Sequence, residues 1–297
     1  MKNRYLLLAV PLLFLFSGFL QAQDTFLWKV SGNGCKKSSY LFGTYHLLND
    51  DYLQKYPKVL VEFEKATAIV VESDTDSTSL MQSSMKAMMM DDEVLPNLLT
   101  PEDHQMVLKE LKIVLGRAPV KVLNKFKPSA LLLLLSLHYT SEAVPELKHY
   151  KGVPMDGFFV KEAKAEGKQV IGLEDPEETF QLVFNYNSFQ EQADQLVKFL
   201  KRSKEEILEE QRILADAYLN SKLTKMQALN ETSFLEYGDE FMTLLLDDRN
   251  KNWIPAIEKS IKENPSFIAV GAAHLVGKNG LIELLRRQGY KVKPVQQ

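Results

Sequence analysis

One cysteine, Cys35, among 297 residues leaves no partner for an internal disulfide, so the chain is not a disulfide scaffold even in an oxidising compartment. Cys35 follows Ser31-Gly32-Asn33-Gly34 and reads as a small residue of a turn. No basic stretch is long enough to track phosphates, and a formal charge of −3 argues against a nucleic-acid partner. There is no glycine-rich phosphate loop and no GxSxG elbow, which weakens nucleotide and serine-hydrolase readings, and no HExxH is present. Past residue 22 no apolar run approaches the roughly 20 residues a helix needs to cross a bilayer. The richest, 130–137, reads as a buried helix.

What is present suits a packed globule: 45% hydrophobic and 25% charged residues. Lys2 and Arg4, the apolar run 6–16 and the small residue Ala22 read as a secretory signal over residues 1–22, which places the mature chain, from Gln23, in the periplasm or outside the cell. The rest alternates between short apolar runs and long helical periodicity. Residues 26–30 and 40–42 suggest a hairpin, 51–65 a helix, and 68–72 a strand ending on Glu72. A strand near 169–173 interrupts a helical stretch over roughly 76–262, within which Thr100-Pro101 opens one helix as cap and first residue. A strand at 267–270, a helix at 279–288 stopped by Gly289, and a strand at 290–295 complete the pattern. The expected fold class is α/β: a single domain over 23–297 with a mixed central sheet built from both ends of the chain, two strand-GxxH-helix-strand halves, and a large helical middle.

The two halves carry the chemistry. Gly43-Thr44-Tyr45-His46 and Gly271-Ala272-Ala273-His274 each place a histidine just past a strand, where open α/β sheets form their crevice. With 14 glycines and five histidines in 297 residues, two such spacings arise by chance roughly 2% of the time. The glycine allows a sharp turn or a close backbone approach. Glu72 ends an apolar strand, and a carboxylate there calls for a metal, a cation or several donors. Two neutral imidazoles and one carboxylate would leave a position open for water, as catalytic divalent metals require. Glu72 would serve as a ligand or as the base that takes the water's proton. His104, His138 and His149 have no partner at ligand spacing. Met81, Met85, Met88, Met89 and Met90 recur at helical spacing and read as a core or groove-lining face.

The ordered segments Leu27-Trp28-Lys29-Val30, Tyr40-Leu41-Phe42-Gly43-Thr44-Tyr45-His46-Leu47, Val70-Val71-Glu72, Gly271-Ala272-Ala273-His274-Leu275-Val276-Gly277 and Gly289-Tyr290-Lys291-Val292 resemble the TraB/GumN family, which includes the TIKI-type metalloproteases. That resemblance implies a hydrolase, a peptidase dependent on manganese or cobalt with zinc as an alternative, acting through His46, Glu72 and His274 as metal ligands and catalytic residues. It also marks Arg249 and Asn250, beside Trp253, as further catalytic candidates: Arg249 would stabilise an oxyanion or grip a carboxylate, and Asn250 would donate a hydrogen bond. Asp156 and Glu174 are the candidate substrate contacts, with a helix-capping or buried pairing role as the alternative reading of each. The expectation is an exported metal-dependent hydrolase of a peptide or protein. The alternative is a protein that binds a peptide or small ligand in the same cleft without turnover.

Overall fold

The computed structural model describes residues 24–75 and 77–296, so the expected signal segment 1–22 lies outside the described residues. Strands β1 (Leu27–Ser31) and β2 (Ser39–Thr44) form the antiparallel hairpin expected of them. The turn between them holds Gly32, Asn33 and Gly34 at positive φ (84°, 47° and 83°), a run that only glycine and asparagine adopt readily. Strands β3 (Ala68–Val71), β4 (Gln169–Gly172), β5 (Ser266–Gly271) and β6 (Lys291–Pro294) complete one six-stranded sheet in the order β4-β3-β5-β2-β1-β6. The first four of that row run parallel, and β1 is antiparallel to both of its neighbours. Every residue of β3 and β5 is buried, which is why both read as unbroken apolar runs: central parallel strands are covered on both faces.

The helices follow the same logic. Residues 51–65 form two pieces, a 3-10 turn Asp50–Lys55 and a helix Pro57–Lys65. Pro57, which has no N–H, opens the second piece where that donor is not needed. Phe63 of this helix meets Phe159 of the helix Met155–Ala165, and both rings lie against Phe267 of β5. The helix Arg249–Glu263 also packs on β3 and β5. A second apolar cluster sits in the helical middle, where Leu131 and Leu135 of the helix Pro128–Ala143 are fully buried with Leu95, Val107, Leu111 and Leu196. The leucine run is a helix as expected, but only one face is buried: Leu133 and Leu137 are exposed. Thr100 caps its helix by accepting the Asp103 N–H at 3.1 Å. The methionine face is divided: Met90 is buried, whereas Met81 and Met85 stand 62% and 46% exposed.

The two ends of the chain do not repeat each other in space. Strands β2 and β3 flank β5, whereas β5 and β6 are separated by β2 and β1. Both strands that precede a histidine nevertheless lie side by side and parallel, with Gly43 opposite Val270 and Thr44 opposite Gly271. Among the described residues no helix is long and apolar enough to cross a membrane.

Candidate functional site

The carboxyl ends of the four parallel strands stand in a row, and each hands the chain to a polar residue. From β4 comes Glu174, from β3 Glu72, from β5 the turn Ala272–Leu275 with His274, and from β2 the loop with His46. The meeting point lies beside Gly271. A methyl group added to its Cα would stand 3.2 Å from Glu72 Oε1, 3.6 Å from His46 Nε2 and 3.6 Å from the His274 ring. The three candidate residues thus converge on one point, and a side chain on residue 271 would crowd them. Gly271 has an ordinary φ of −51°, so the glycine supplies space, not an unusual backbone.

Each imidazole is held differently. His46 Nδ1 faces Asp156 Oδ2 at 2.7 Å, and Asp156 Oδ1 accepts from the Thr44 hydroxyl. An ionised carboxylate only accepts, so Nδ1 carries the proton and Nε2 is the nitrogen turned towards Glu72 and Gly271. The Asp156 charge pushes His46 up to about 9, and Glu72 adds to the effect. The side chain keeps 68% of its surface open, so solvent screens this pair and it orients the ring more than it stabilises the fold. For Asp156, burial opposes ionisation, but the His46 charge and hydrogen bonds from His46 and Thr44 hold its carboxyl below the usual range.

His274 is buried. Asn250 Oδ1 lies 2.7 Å from its Nδ1 and Arg249 Nη1 lies 3.2 Å from its Nε2. The guanidinium only donates, so the ring is neutral, with Nδ1–H given to Asn250. Burial pushes it down to about 3. Asn250 in turn donates to the carbonyls of His274 and Asn279, at 3.3 and 2.9 Å, and Trp253 lies against the imidazole, ring centroids 4.5 Å apart.

Arg249 ties the site together. Its Nε donates to Glu174 Oε2 (2.9 Å), Nη2 to Glu174 Oε1 (2.5 Å) and Glu72 Oε2 (3.0 Å), and Nη1 to the Leu245 carbonyl (2.9 Å) and His274. Those contacts occupy all five guanidinium N–H donors. Glu72 Oε1 accepts the Gly271 N–H at 2.7 Å. Burial works against the Glu72 charge; His274 when protonated, then His46 and Arg249, outweigh it and hold the carboxyl low. Near neutral pH, with His274 uncharged, His46 and Arg249 supply that hold. Glu174 also accepts from Thr179 (2.7 Å) and Trp253 (3.1 Å).

Residues 26–294, from the first strand to the last, match one protein family as a unit. The chain belongs to the TraB/PrgY/gumN family. No curated protein and no solved structure matches it. In this member of the family the expected residues come together, and Asp156 and Glu174 take the buried pairing role, the alternative to substrate contact. Arg249, Asn250, Asp156 and Glu174 direct their polar atoms at one another and at the two histidines, so the substrate contacts expected of Asp156 and Glu174 would require these bonds to open.

The metal site implied by the family resemblance meets a specific obstacle. Among the described residues no three His, Cys, Asp or Glu side chains are grouped to hold a metal ion. His274 Nε2 is taken by an Arg249 N–H, and the guanidinium provides the positive charge beside Glu72 that a cation would bring. Only His46 Nε2 and the remaining lone pairs of Glu72 face the meeting point. The placement of His46, Glu72 and His274 therefore does not fit three-ligand coordination while Arg249 holds its position. Thr44, Thr179 and the Leu245 carbonyl were not foreseen. Thr44 lies inside the first GxxH motif, but its tie to Asp156 crosses 112 positions, for which a single sequence carries no signal.

Proposed function

We propose that this protein is an exported hydrolase of peptide bonds, working in the periplasm or outside the cell, with His46 as the group that moves protons. The observation that carries this reading is the convergence of His46 Nε2, Glu72 and His274 beside Gly271, with the His46 ring open to solvent. An Asp156-oriented imidazole with a free second nitrogen is built for general base and general acid work. The base is the neutral form of His46, a minor fraction near pH 7 that grows as pH rises towards 9; it takes a proton from a water as the water's oxygen attacks the carbonyl carbon. The same proton then passes from Nε2 to the leaving nitrogen as the C–N bond breaks, giving a carboxylic acid and an amine. Glu72 fixes the charge next to the reacting atoms, while Arg249 and Asn250 act as positioning residues that hold His274 and Glu72 in place.

The dependence on manganese or cobalt implied by the resemblance requires Arg249 to release His274 Nε2. Incubation with a mixed peptide library, analysed by mass spectrometry with chelator or with added manganese, cobalt or zinc, separates the cases. Cleavage that survives chelation follows from the arrangement described. Cleavage that is lost on chelation and restored by one metal would restore the three-ligand reading. No cleavage under any condition would leave the second reading, a binding protein without turnover. That reading draws its support from Arg249, whose donors are all satisfied inside the protein.

A further inference from the structure

The opposite end of the sheet carries a second polar feature unrelated to the histidines. Where β2 and β5 begin and the chain enters β3, Lys29, Lys37, Ser38, Tyr40, Glu62 and Lys65 line a cavity of about 500 Å³. Lys29 lies on β1 directly across from Tyr40 on one side and from Lys293 of β6 on the other, and Ser31 faces Lys291 in the same register. Cross-strand partners share a face of the sheet, so Lys29, Lys291 and Lys293 stand together. Like charges placed directly opposite destabilise a strand pair unless a counter-charge lies between them. The one carboxylate among the cavity's lining residues, Glu62, is engaged by Lys65 at 3.1 Å and by the Tyr40 hydroxyl, and among the described residues Lys29, Lys37, Lys291 and Lys293 make no ion pair. Lysines on the edge strand β6 are explained by protection of an open edge. Lys29 is not, because β1 is paired on both sides.

We propose that this cavity is a binding site for a dianionic phosphate monoester, held by Lys29 and Lys37 with Ser38 as a hydrogen-bonding neighbour. Ammonium groups on long stems bind phosphate as point charges. Lys29 and Lys37 remain uncompensated once Lys65 and Glu62 cancel, and their two charges match the two of the monoester. The monoester is either a free solute or the headgroup of an acidic lipid. The site is independent of the hydrolase reading, since it lies at the amino ends of the parallel strands and the histidines at their carboxyl ends.

The test uses the full chain at low ionic strength, titrated calorimetrically with glycerol phosphate and, separately, sedimented with vesicles of phosphatidylcholine containing phosphatidic acid. Both measurements are repeated on the Lys29→Gln/Lys37→Gln double variant, which alters only exposed side chains, and on Glu72→Gln. Saturable binding in either arm that weakens at least tenfold in the double variant and persists in Glu72→Gln supports the site. The arm that shows it names the source, solute or lipid. Absence of saturable binding in both arms, binding that sodium chloride of equal ionic strength abolishes completely, or binding unchanged in the double variant would overturn it.

Discussion

His46 and His274 are the same residue type at the same distance after a glycine, and their surroundings drive them in opposite directions. The consequence for stability has a definite sign. His46, raised from 6.5 to about 9, contributes stability that is complete below its unfolded value and is lost as pH rises through 9. His274, lowered from 6.5 to about 3, binds its proton more readily in the unfolded chain, so stability falls as pH drops from 6.5 towards 3. Glu72 and Asp156, both depressed, add to the loss on the acid side. Thermal midpoints measured from pH 4 to pH 10 should peak close to pH 6.5, and a steady rise to pH 9 would contradict these assignments. Asn250, 1% exposed, serves three hydrogen bonds around His274. Asn250→Leu strands the His274 Nδ1–H and two carbonyls and should cost about 3 kcal/mol in urea unfolding. Arg249→Met leaves Glu72 and Glu174 without their shared cation, a loss of about 3 kcal/mol with the Glu72 carboxyl rising in carbon-detected titration. Glu72 was legible in the sequence as a buried carboxylate needing a partner. That the partner is Arg249, 177 positions away, was not.

At the scale of elements, the two GxxH turns are pressed together by their glycines. A Cβ on Gly43 would lie 2.5 Å from a Leu275 methyl and 3.0 Å from the Ala272 backbone. Gly43→Ala must push the second turn away, and overpacking of that kind costs about 1–3 kcal/mol. The loss should appear as a lowered thermal midpoint with His274 displaced. Gly271→Ala, whose Cβ meets side chains only, should leave the midpoint nearer to wild type. The pattern GxxH was readable; the sequence left open whether the glycine gives a turn or a close approach, and both positions turn out to be close approaches. A widened π-helical turn, Thr243–Asp248, runs straight into the helix that bears Arg249 and Asn250. Two adjacent residues then reach opposite nitrogens of one ring, an arrangement periodicity alone does not announce. Phe159 anchors the other helix of the site's floor, and Phe159→Ala should cost about 3–5 kcal/mol, read from denaturant midpoints.

Across the whole molecule, the sheet was legible wherever burial enforced a simple pattern. Strands β3 and β5 announced themselves as apolar runs because both of their faces are covered, and β1 and β2 through the turn that joins them. The strand order was not legible, since the insertion of β5 between β2 and β3 depends on contacts more than 190 positions apart. That insertion is what gathers Glu174, Glu72, His274 and His46 into one row, and the chemistry proposed for the protein rests on it. His46 offers the cleanest probe, because its open side chain can be changed with little effect on packing. The decisive measurement is the rate of peptide cleavage by wild type and by His46→Gln, at matched thermal midpoints. The account predicts a loss of about 10²–10⁴-fold with the fold intact. Cleavage at an undiminished rate by folded His46→Gln would contradict it.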